Sequence, residues 1–268
     1  MLSDPMFWYG LALNIAMTAS IVVAASVIVE RSGPFIGALI AALPTAGGAA
    51  LIILAVEHPP QFIAQGMIGS LIANAAGALF ALTYATLAQR RPVFVSLGGA
   101  LLVWFGMVAL SRFYDWTITS ALVLNAVVYP PAIWAGRRFR DDGAAKAKLK
   151  LTGADLAWRA GVVTLTVIIV TAASHSIGSF LSGIFAFFPV AMSSFFIILH
   201  TRLGGPAAAS VAAHVQAPLI GLTLGFVAVH YLAASIGVWW AYLIGLAIGI
   251  GWNALLWLLR QRTRPAEI

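Results

Sequence analysis

From end to end, this chain is divided into apolar runs of about 20 residues, and a helix of that length crosses a hydrocarbon core of about 30 Å. No other feature constrains the fold so strongly, because in lipid the backbone polar groups must be satisfied within the span itself. Hydropathy predicts nine helices, at 6–29, 33–56, 61–88, 93–111, 117–135, 156–174, 177–200, 206–234 and 236–259. The connectors are short, as in "ERSGP" at 30–34, "EHPP" at 57–60 and "QRRP" at 89–92; the one long polar connector is "GRRFRDDGAAKAKLKLTGAD" at 136–155. Of the 268 residues, 62% are hydrophobic and 9% charged, against roughly 25% charged in a soluble domain. The expected class is an all-α polytopic membrane protein.

The net charge of +7 invites a nucleic-acid reading, but its distribution argues for topology. With nine spans and a cytoplasmic C-terminus, every Lys and Arg except Arg112 falls on the inner side, including the cluster from Arg137 to Lys150 and the tail arginines 260, 262 and 264. Eight or ten spans spoil this split, so the positive-inside rule favours an outside N-terminus and an inside C-terminus. The opening residues, "MLSDPMFWYG", carry no basic residue before the first apolar run, unlike a signal peptide. With no cysteine, disulfides and thiolate metal sites are excluded. Short loops and small size suggest a bacterial inner membrane.

Two stretches share an unusual shape. "GPFIGALIAALPTAGGAA" (33–50) and "IGSFLSGIFAFFPVAMSS" (177–194) each place a proline inside an apolar run, Pro44 and Pro189, 145 residues apart. At that offset Gly33 meets Gly178, Ala41 meets Ala186 and Leu54 meets Leu199, and 70–88 loosely matches 215–233. The expected organisation is a first four-helix repeat (1–112), a linker helix with a basic loop (113–155) and a second four-helix repeat (156–268). The odd span between the repeats inverts the second relative to the first, the arrangement of many secondary transporters.

A mid-span proline removes one rung of the helix ladder, and the freed carbonyl is tolerated in lipid only where it is buried in protein or lines a wet cavity. The second and seventh spans are therefore expected to kink or break near the midplane. A break presents half-helix N–H groups suited to an anion. The candidate substrate-binding residues are Pro44, Thr45, Gly47, Gly48, Pro189, Ser193 and Ser194, joined by Asn74 in the third span and His214 and Gln216 in the eighth. Asn14, Asn125 and Asn253 also lie within spans and read as hydrogen-bonding groups between helices. No Asp, Glu, Lys or Arg is expected deep in a span, so His214 is the one candidate for proton coupling. "EHPP" reads as an end cap and turn, and "GLAIGIG" (245–251) as close helix packing.

The second half, "GIFAFFPVAMSSFFIILHTRLGGPAAASVAAHVQAPLIGL", resembles the small GlpM-type four-helix membrane proteins, which carry an apolar segment ending in Phe-Pro, a half-helix with a histidine, a polar turn and a further span. Phe188-Pro189 and His200 match over about 85 residues. The first half offers Leu43-Pro44 and has Ala55 where the histidine stands. The resemblance implies a duplicated and fused unit and says little about substrate.

No paired acids, HExxH, GxSxG or phosphate loop appears, so no enzyme, metal or cofactor is expected. The expected function is a secondary transporter or exporter of a small uncharged or anionic solute. The alternatives are a non-transporting accessory protein of an envelope assembly and a flippase for lipids or polyprenyl carriers. The expected partners are the solute and the bilayer, with a homo-oligomer left open and nucleic acid excluded.

Overall fold

The computed structural model describes residues 45–140 and 152–263, with side chains from 47 to 140 and 152 to 261. The described residues form α1 (Thr45–Glu57), α2 (Pro60–Leu87), α3 (Val93–Ser111), α4 (Ile118–Gly136) with a 3₁₀ turn at Arg137–Phe139, α5 (Gly153–Ala186), α6 (Val190–Leu203), α7 (Gly205–Ile236) and α8 (Val238–Thr263). Six segments among them are long and apolar enough to cross a membrane, with a shorter apolar helix at 47–57. The apolar helices fit a membrane protein. The expected first span, Pro44 and most of the basic connector lie outside the described residues.

The helix boundaries follow from local chemistry. Pro59 and Pro92 stand at the N-caps of α2 and α3, where a missing N–H costs the helix nothing. Thr117 and Thr152 build capping boxes with Ser120 and Asp155. Gly204 and Gly237 are the entire connectors between α6, α7 and α8, with φ/ψ of 88°/167° and 93°/151°. Gly178 adopts a similar conformation (76°/174°) inside α5, a region reserved almost wholly for glycine. It kinks α5 close to the expected boundary at 177.

α2 is the central shaft. Its small residues, including Ala73, Ala75, Ala76, Gly77 and Ala78, are all buried. Along one side it runs parallel to the end of α5 and to α6: Gly66 meets Gly183, Ser70 Oγ donates to the Gly183 carbonyl (3.1 Å), and Tyr84 Oη meets His200 Nδ1 (2.9 Å). Gly69 lies on the Phe180 carbonyl, a crossing that no side chain at Gly69 or Gly183 would permit. Along another side α2 runs antiparallel to α7, with His230 Nδ1 donating to the Ala64 carbonyl at one end (2.7 Å) and Gly205 on Ala88 at the other. α4 leans on both: Asn125 Nδ2 donates to the Leu71 carbonyl (3.0 Å), and Thr223 Oγ1 donates to Asn125 Oδ1 (3.2 Å). α4 stays continuous through Pro130 and Pro131.

Arg159, expected on the inner side at the start of the 156–174 span, is a buried residue of α5 with its guanidinium over the Phe195 ring (5.1 Å). A cation–π contact of this kind offsets part of the cost of burying the guanidinium.

Candidate functional site

The chain breaks at Phe187–Pro189. Pro189 has no N–H, and the ladder tightens ahead of it: Phe187 N–H bonds to the Ile184 carbonyl (3.2 Å) and Phe188 N–H to that of Phe185 (3.0 Å). Val190 N–H reaches the Phe188 carbonyl (2.7 Å), and α6 then starts with Ser193 N–H on the Pro189 carbonyl (2.8 Å). The second proline motif is thus a true interruption of the helix.

The break brings the two motifs together. Gly47 lies directly against the Phe187 ring, so that a side chain at Gly47 would collide with it. Gly48 and Phe187 then line a cavity of about 160 Å³ bounded by α1, α7 and α8. Pro218, Leu222, Gly225 and Phe226 face it from α7, and Tyr242, Gly249 and Asn253 from α8. None of the lining side chains is charged. Tyr242 Oη is occupied, donating to the Leu51 carbonyl (3.0 Å). Asn253 Oδ1 is buried and has no hydrogen-bond partner among the described residues. The lining is apolar apart from the Tyr242 hydroxyl and the Asn253 amide, which suits a small, largely apolar body.

The other candidates do not converge on it. Thr45 begins α1 and its side chain lies outside the described set, as does all of Pro44. The Ser193 and Ser194 hydroxyls donate back to the carbonyls of Pro189 (2.7 Å) and Ala191 (3.0 Å) within their own turn. Asn74 Nδ2 donates to the Leu219 carbonyl (2.9 Å) and Thr223 Oγ1 (3.0 Å), α7 residues that do not line the cavity. His214 Nδ1 donates to the Ser210 carbonyl (2.8 Å). Gln216 is fully buried beside Gly136, and neither amide atom finds a partner among the described residues. Two residues apart on a helix, His214 and Gln216 point about 200° from one another and cannot share a ligand.

Phe187, Pro218, Tyr242 and Gly249 were not singled out from sequence. α8 does pack closely on α7, Gly245 on Gly225 and Trp252 on Gly221, as "GLAIGIG" suggests, but Gly249 opens space instead. No family model, curated protein or solved structure matches this chain.

Proposed function

We propose that this chain is a secondary transporter or exporter of a small, uncharged, largely apolar solute that binds in the cavity beside the Phe187–Pro189 break. One observation carries the reading: an interrupted helix opens onto a cavity shared by helices of both halves. Broken helices at the meeting of two repeats are where secondary transporters bind their substrates. The uncharged lining favours a neutral solute over an anion, and Asn253 Oδ1 would accept one hydrogen bond from it. Movement of one half against the other would alternate access.

The proposal extends to architecture: nine spans, two inverted repeats of GlpM-like ancestry, an outside N-terminus and a bacterial inner membrane. Its support is a shared register. Pro60 and Gly205 begin equivalent helices 145 residues apart, and Val93 and Val238 do the same. A second reading, lipid or polyprenyl handling, is favoured by Leu246, which lines the cavity while remaining 46% exposed.

The test uses the absence of native cysteine. Gly48→Cys and Leu222→Cys are placed in the cavity, and Leu102→Cys, on the exposed face of α3, serves as control. Membrane-impermeant thiol reagents are applied from each side. Such reagents react only where water reaches the thiol, so labelling of both cavity positions and not of the control is the expected result. Cavity positions that stay unlabelled from both sides would sink transport and leave an accessory role.

A further inference from the structure

At the other end of α5 from the basic connector, about 33 Å along the helix at 1.5 Å per residue, three ligand-bearing side chains from distant parts of the chain meet. Glu57 closes α1, His58 sits in the turn before Pro59 and Pro60, and His175 lies three residues before Gly178. One ligand atom from each lies within 4.8 Å of the others, and His175 Nε2 is 3.8 Å from Glu57 Oε2.

The surroundings prepare His58. Its ring stacks on Phe62 (centroids 3.8 Å apart, planes 6° from parallel) and its Nε2 is 2.7 Å from Ser174 Oγ. Ser174 Oγ donates to the Thr171 carbonyl (2.7 Å). The hydroxyl has one proton, so both short contacts are satisfied only when His58 Nε2–H donates to Ser174. Neutral His58 then carries its lone pair on Nδ1. Metal-bound histidines are oriented in this way, with the remote N–H given to a neighbouring oxygen. In a tetrahedral site with bonds of about 2.0–2.1 Å, ligand atoms stand about 3.4 Å apart. The side chains of His175 and Glu57, 64% and 35% exposed, have the freedom to close that gap.

We infer that Glu57, His58 and His175 form a binding site for a divalent late transition metal, with Zn²⁺ as the representative ion and a fourth position open to solvent. Two imidazoles and one carboxylate suit Zn²⁺ and its neighbours better than Ca²⁺ or Mg²⁺, which take oxygen ligands. The ion would fasten the α1–α2 turn to α5 beside the Gly178 bend. This inference does not depend on the cavity or on transport.

The test is calorimetric titration of Zn²⁺ into the full chain in detergent, purified without a polyhistidine tag. One ion per chain is expected, with affinity falling at least tenfold in His175→Ala and in Glu57→Gln. Ser174→Ala, which only positions His58, is expected to weaken binding by about tenfold. His58→Ala also removes the Phe62 stack, so the double variant Glu57→Gln/His175→Ala, made on partly exposed side chains, is the decisive one. A chelator-reversible rise in thermal midpoint that appears in the native chain and is absent from the double variant supports the site. No Zn²⁺ uptake by the native chain, or equal uptake by the double variant, overturns it.

Discussion

The α2–α3 pair and the α7–α8 pair start in the same register, 145 residues apart, yet they are built to different ends. In the first pair Phe80 and Trp104 are wholly buried, and the Trp104 indole packs edge-on against Phe188 (centroids 5.1 Å apart). At the corresponding places the second pair has Gly225 and Gly249, and both line the cavity. The entries to the helices differ in the same sense. Pro59 and Pro92 introduce α2 and α3 with φ of −68° and −64°; Gly204 and Gly237 introduce α7 and α8 with φ of 88° and 93°. One pair is filled and stiffly connected, and the other is hollow and joined through residues free to turn. The contrast teaches that the cavity is made by side chains withheld from a packing scheme the first pair completes.

Breaking the filled pair should have the largest effect. Trp104→Gly removes a fully buried indole and is expected to cost about 3–5 kcal/mol, read as a lower midpoint when helical circular dichroism is followed through denaturation in detergent. A loss under about 1 kcal/mol would mean that the first pair is not tightly filled. Gly237→Ala comes next. No atom lies within 4 Å of the added carbon, so the expected loss of about 1–3 kcal/mol is backbone strain alone; an unchanged midpoint would show that the connector relaxes freely. In the stiff half, Pro92→Gly is expected to cost only about 0.4–1 kcal/mol, through the unfolded chain's greater freedom. The same measurement on both variants shows whether the two connectors differ as described.

The smallest effect on stability is expected from Gly249→Phe. The nearest atom to its added carbon is the Gly221 carbonyl oxygen at 4.0 Å, and glycine is a poorer helix former than phenylalanine by less than about 1 kcal/mol. Stability should change by less than that amount, while cavity-dependent thiol labelling at Gly48→Cys disappears. Persistent labelling would place the wet path elsewhere.

Much of the architecture was legible beforehand. The expected span 93–111 coincides with α3, and the seventh span breaks at the proline that marked it. These features follow from hydropathy and from the missing N–H of proline, both local properties. The lining of the cavity was not legible in the same way, because a void is a relation between positions and has no local signature. "GLAIGIG" looks like packing, and for Gly245 it is; Gly249 shows its meaning only when set beside Trp104. The serines after Pro189 were plausible ligands by type, yet short hydroxyl side chains on a helix readily bond to their own preceding turn. Burial of Arg159 depended on Phe195, 36 positions away, which no local pattern predicts.

The bond from Asn74 to Leu219 has a consequence in time. Its donor and acceptor are 145 residues apart in the chain, and synthesis proceeds at about 5–20 residues per second. Roughly 7–30 s therefore separate the emergence of the amide from that of its acceptor. During that interval the Asn74 Nδ2 group on α2 lacks both of its α7 acceptors, Leu219 and Thr223. On this account α2 is a waiting partner: made early, and finished only when α7 packs beside it.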